Sequence, residues 1–223
     1  MPQNFTSAPE NYEIHSFVSE GPDIVVTPAE HKGRGVLHSH SFYEIVYVAE
    51  GFTLHQSCGR ITMLITGDFF FVKPGEVHSY INAYQTKLYN LLFVPAALGD
   101  SFSALSALPG LDEMFSPSGE SLDPTHRLLH VSIGERRNIE SALEKMIGER
   151  ENKNVGWEVS LKARLTSLLI KYARMYDEQY DEHSAGGKKR SDNDYYGYIY
   201  KLLCYVDKHY AEDLTTAELS EVT

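Results

Sequence analysis

The chain has 223 residues, 42% of them hydrophobic and 23% charged, enough for one barrel-sized domain plus something smaller. Its net charge of −11 gives no support for a whole-chain phosphate-binding surface, which needs concentrated Lys and Arg. No apolar run approaches the roughly 18 residues of a membrane span. The start, MPQNFTSAPENYEIHSF, has neither the basic opening nor the apolar core of a signal peptide. Two lone thiols, Cys58 and Cys204, suit a reducing cytoplasm.

The first twenty or so residues are polar and read as a loose lead-in. Asp23 to Thr27 is a short strand candidate before a break at Pro28, and His31-Lys32-Gly33-Arg34-Gly35 reads as a basic loop. Strand candidates follow near residues 42–49, 51–57, 61–65, 68–72, 77–82 and 87–94, separated by Gly, Pro, Asn and Ser. That spacing predicts a sandwich or small barrel. Within it, side-chain alternation puts His38, His40, Glu44, Val46 and Val48 on one face. His78, just after a Pro-Gly turn, adds a third imidazole from a neighbouring strand.

These residues carry a family likeness. His38, His40, Glu44 and Gly51 fit H-x-H-x3-E-x6-G, and Gly67, Gly75, His78 and Asn82 fit G-x5-P-x-G-x2-H-x3-N, with Lys73 where the pattern has Pro. The stretch resembles the two motifs of the cupin barrels, which implies a double-stranded β-helix (jelly-roll) barrel with the site inside. His38, His40, Glu44 and His78 could hold a divalent Zn, Fe, Ni or Mn ion, since imidazole and carboxylate suit all four. The alternative is a polar pocket whose His and Glu hydrogen-bond a small ligand or one another. Phe42 and Val46 share the His face and are candidate ligand contacts, whereas Tyr43 and Tyr47 alternate away from it. Tyr80 is a weaker candidate, and Arg34 and Lys73 could attract an anion, though a lone basic residue in a loop is usually solvated.

After Pro95 the pattern becomes mixed, with short helical pieces over 96–130. From Gly134 it turns helical: Ile139, Leu143, Met146 and Ile147 recur at three and four residues, then Leu161, Leu165, Leu168, Leu169, Tyr172 and Met175 form a longer stripe. Two such helices predict an antiparallel pair, packed on the barrel, on a second copy, or both. DEHSAGGKKRSDND reads as a linker, its Lys188-Lys189-Arg190 diluted by acids. Beyond it, Tyr195, Ile199, Leu202, Leu203, Val206 and Tyr210 repeat a helical stripe, and Thr215-Thr216-Ala217-Glu218 is a capping box opening another helix.

The string YIYKLLCYVDKHYAEDLTTAELSE resembles the opening of the DNA-binding domain of AraC/XylS-type transcription regulators, through Val206, His209, Tyr210, Leu214, Thr215 and Leu219. The resemblance implies an α+β, mainly β chain: a cupin-like effector barrel over 1–130, a helical dimerisation segment over 131–182, a linker over 183–194 and the start of a helix-turn-helix domain over 195–223. It implies a cytoplasmic, dimeric, non-enzymatic sensor of a small molecule, a sugar or sugar-like one, controlling DNA binding. Recognition-helix residues are not in the sequence, so this chain alone is not expected to read DNA. The alternative is a metal-dependent cupin enzyme (a dioxygenase, isomerase or lyase), against which residues 195–223 speak.

Overall fold

Two long strands carry the architecture of the computed structural model. It describes residues 9–31, 33–57, 60–116 and 128–180, with 202, 205, 206, 209 and 213–222 beyond them. The expected linker, its basic triplet, most of the 195–210 stripe, and both cysteines lie outside the described residues. The strands are β1 (Glu10–Tyr12), β2 (Ile24–His31), β3 (His38–His40), β4 (Tyr43–Ser57), β5 (Arg60–Ile65), β6 (Asp68–Val72), β7 (His78–Phe93) and β8 (Leu128–His130).

β4 and β7 pair antiparallel from Tyr43↔Phe93 to Ser57↔His78. The first half of β4 also pairs β6, which pairs β8, while β2 lies along the far side of the second half of β7. The second half of β4 pairs β5, and the start of β7 pairs β3, which pairs β1 in parallel. The two long strands thus belong to both layers of a rolled sheet, the cupin-like barrel expected from the sequence.

Each of these strands was expected as two. The register of β4 against β7 shifts at Val48/Glu50, Glu50/Phe52 and Leu54/His55, and Gly51 has φ +83°. Bulges there bend the strand without ending it. β2 likewise runs through Pro28 to His31. Among the described residues its one partner in the sheet is β7, so the ring can sit where no ladder donor is needed. The lead-in is also more ordered than expected: a 3-10 turn at Ile14–Ser16 follows β1, and Ile14 and Val18 are buried against Val25, Phe42 and Leu92.

Two short helices, α1 (Ser101–Leu105) and α2 (Leu111–Phe115), precede the pair α3 (Ile133–Asn152) and α4 (Trp157–Tyr180). Lys153 at φ 47° and Gly156 at φ 82° make the turn between α3 and α4. Alternation decides what the helices cover. Ile45 and Tyr47, Phe69 and Phe71, Leu91 and Phe93 share one core with Ile139, Leu143 and Met146 of α3 and the stripe from Leu161 to Tyr172 of α4. The stripe open to core or dimer packing is therefore core. Barrel and helix pair form one unit through Asp181, and residues 182–223 cluster as a second. In that second unit, α5 (Thr216–Val222) has the predicted capping box. Glu218 Oε2 accepts from the Thr215 N–H and hydroxyl at 2.8 Å, and the Glu218 N–H reaches Thr215 Oγ1 at 3.3 Å. Among the described residues no helix is long and apolar enough to cross a membrane.

Candidate ligand site in the barrel

The inner face of the sheet carries the polar residues. β3 supplies His38 and His40, β4 supplies Glu44, and β7 begins with His78, which pairs with His38. The turn before β7 fixes their approach: the Gly75 N–H donates to the His40 carbonyl at 2.8 Å, a contact made possible by the tight turn at Gly75, φ +80°.

Each imidazole has a backbone carbonyl behind it. Nδ1 lies 2.9 Å from Val36 O in His38, 2.7 Å from Phe42 O in His40 and 3.2 Å from Glu76 O in His78. A carbonyl oxygen only accepts, so each Nδ1 carries a proton. For His40 and His78 the other nitrogen meets Glu44: Oε2 is 3.0 Å from His40 Nε2 and 3.4 Å from His78 Nε2. A ring lone pair facing a carboxylate oxygen at that distance is repulsive unless a cation stands between them. That cation is a shared proton or a metal ion. Carbonyls behind the coordinating rings are the usual support of a metal-binding histidine.

Among the described residues, His38, Glu44 and His78 form a trio whose ligand atoms all lie within 4.8 Å of one another. His40, the fourth member expected from the sequence, stays outside that trio and hydrogen-bonds Glu44. Burial would raise the Glu44 carboxyl, but hydrogen bonds with His40 and His78 outweigh it and hold the group well below the usual carboxylate range. Burial, and then the charge of His78, push the His38 imidazole down.

A cavity of about 390 Å³ opens onto this cluster, a size fit for a small organic ligand. His38, His40, Glu44 and Phe42 line one side, with Phe42 stacked 4.3 Å from the His40 ring. Tyr12 and Phe17 from the lead-in, and Tyr80, Asn90 and Leu92 from β7, are among the other lining residues, while His78 stands behind them and does not line it. Of the other candidates, Val46 is buried on the inner face but does not line the cavity, and Arg34 is exposed and does not line it. Lys73 is not solvated as expected: it is 1% exposed and donates to Ser116 O and Oγ at 3.2 and 2.8 Å. Tyr47 turns outward to Glu140 at 3.3 Å. The Asn82 side chain lies outside the described set. A larger groove of about 1040 Å³ runs along α4 and contains none of the His/Glu cluster.

Sequence reasoning missed His55. Parity counted from Glu44 turns it outward, yet Thr53, His55 and Ser57 are buried while Phe52 and Leu54 are half-buried. The bulges near Gly51 invert the parity. His55 packs against Phe70, Tyr80 and His78, with ring centroids 4.6, 5.3 and 5.4 Å away.

The profile of the AraC-like ligand binding domain matches residues 22–169, taking in the whole cavity-forming sheet from β2 onward and most of the helix pair. The chain belongs to the AraC-like ligand-binding domain family. It is 27% identical over 141 residues to the HTH-type transcriptional activator RhaR of Klebsiella pneumoniae, covering 63% of this chain and 48% of that protein. It is 29% identical over 107 residues to RhaR of Escherichia coli, covering 48% of this chain and 36% of that one. The chain thus spans half or less of the length of these curated relatives. Among solved structures it is similar to an RmlC-like cupin from Shewanella frigidimarina, with TM-score 0.30 and 28% identity over 31% of this chain and 64% of that one. It is also similar to ToxT from Vibrio cholerae, with TM-score 0.45 and 10% identity over 88% and 68%. Both scores are low, and membership of the AraC-like family rests on the profile match.

Proposed function

We propose that this chain is the effector-sensing and dimerisation portion of an AraC-type transcription regulator, acting in the cytoplasm, with a small sugar-like molecule bound in the barrel. The observation that carries this reading is the cavity lined by His38, His40 and Glu44, residues inside the region that the AraC-like ligand-binding profile matches. The relatives named transcriptional activators support regulation over catalysis. DNA contact belongs to a helix-turn-helix domain of which 195–223 resemble the opening. Ligand binding changes DNA binding only by favouring one arrangement of the whole over another.

The test is a thermal-shift screen of neutral sugars and small acids on the full chain. A ligand that raises the melting temperature of the wild type is expected to lose that effect in Glu44→Ala and in His78→Ala. A shift retained in both variants would move the effector elsewhere.

A cation within the trio is a second, compatible reading, favoured by the Nδ1–carbonyl pairs. His38, Glu44 and His78 would hold a Zn, Fe, Ni or Mn ion, which would supply a Lewis-acidic anchor for a ligand oxygen. Elemental analysis of tag-free protein is expected to find close to one equivalent, lost in Glu44→Ala. Absence of metal in the wild type would contradict this second reading.

A further inference from the structure

Five rings close a loop on the wall of the barrel cavity. Phe17 meets Tyr12 and Phe42 at steep angles, with centroids 6.1 and 5.6 Å apart and planes 70° and 81° apart. Phe42 stacks on His40 at 4.3 Å, and His38 closes the loop at 6.4 Å from His40 and 5.6 Å from Tyr12. All five residues line the cavity. Rings set at steep angles turn their faces in different directions around one space, and an aromatic face attracts positive charge. Core packing explains only part of this loop, because Phe17 is 43% exposed.

Two polar side chains on the same wall are hydrogen-bond acceptors. Asn90 Oδ1 is buried and has no hydrogen-bond partner among the described residues, and a carbonyl oxygen only accepts. Glu44 adds a carboxyl group, and among the described residues no Lys or Arg lines the cavity. An acid or a phosphate would find no basic side chain here. A ligand that brings positive charge and a donor finds both aromatic faces and acceptors.

We propose that the effector of the barrel carries an ammonium group, seated against the rings of Tyr12, Phe17 and Phe42, while an N–H or O–H of the same ligand donates to Asn90 Oδ1. The ligand class is a small hydroxylated amine, of which an amino sugar is one form. This inference rests on the reading of the barrel as an effector site and adds a charge to the ligand that reading calls for.

The experiment is calorimetric titration and thermal unfolding of the full chain with two matched pairs of probes. Choline is paired with its uncharged isostere, in which carbon replaces the quaternary nitrogen, and D-glucosamine is paired with D-glucose. Choline is a permanent cation, so the first comparison holds at any pH. At least one cation is expected to stabilise the wild type and to bind about tenfold more tightly than its neutral partner. Phe17→Leu keeps apolar bulk but removes the ring. It is expected to melt near the wild type without probe and to narrow that gap to about threefold or less, whereas Phe17→Trp is expected to keep the gap or widen it. Equal affinity within both pairs overturns the inference, and a neutral-sugar shift that Glu44→Ala removes then leaves the effector reading standing. An unchanged gap in Phe17→Leu places the charge away from these rings and also overturns it. Binding of none of the four probes overturns it as well, and the effector reading falls with it only if the wider sugar screen gives no shift that depends on Glu44.

Discussion

Glu44 and His55 make the fold acid-sensitive in the same direction. The folded pKa of Glu44 lies below its ordinary 4.5, so its contribution is present above that value and lost as pH falls through the folded one. His38 and His55 are held below the ordinary 6.5, His55 at about 3. Below pH 6.5 the unfolded chain takes up protons that these rings refuse, so the folded state loses ground there too. Metal-free protein is expected to lose about 1.4 kcal/mol per pH unit through His55 as pH falls below 6.5. Denaturant titrations below that pH should show a shallower decline in His55→Phe, and equal slopes in the two proteins would contradict a neutral buried His55. The sequence showed His38, His40, Glu44 and His78 because a motif of fixed spacing marks them. It hid His55, whose facing depends on bulges that pattern alone does not place.

At the scale of elements, the joints between sheet and helices can be tested singly. Arg150 of α3 donates to the carbonyls of Ile24 at 2.9 Å, Glu20 at 3.1 Å and Pro22, and its guanidinium lies 5.7 Å from the Trp157 ring centroid. Arg150→Ala is expected to lower stability by about 2–3 kcal/mol; a loss within error in chemical denaturation would mean that the clasp is not holding the lead-in to the helices. Gly67 turns between β5 and β6 at φ +99°, and a Cβ there would sit 2.6 Å from Arg136 Nε. Gly67→Ala is expected to cost at least about 1–2 kcal/mol from the left-handed backbone alone, and an unchanged midpoint would contradict that. The two long helices were readable because their apolar residues keep one period over many turns. β1 and β8 were not, since three residues carry too short an alternation, and β8 owes its place to pairing with β6.

For the whole molecule, the stripe of α4 expected to serve either as core or as dimer seam is spent on the sheet, with Leu161, Leu165 and Leu169 all at 1% exposure or less. A dimer built on this helix must therefore use its other face, where Val159 is 72% exposed and Ala163 also lies open. Light scattering is expected to give a dimer mass for the wild type and a monomer mass, with unchanged melting temperature, for Val159→Glu combined with Ala163→Glu. A monomeric wild type at tens of micromolar would contradict dimerisation through this segment. The order of barrel, helix pair and capped helix was legible because each has its own period or motif. How barrel and helices share one core was not, since that depends on which face of each strand the bulges leave outward. The central claim is that the effector sits on the His/Glu cluster, and calorimetric titration of the wild type and Glu44→Ala tests it most directly, using the neutral sugar that gives the largest thermal shift. One site per chain is expected in the wild type, and no measurable heat of binding in Glu44→Ala. Equal affinity in the two proteins would contradict it and place the effector outside the barrel.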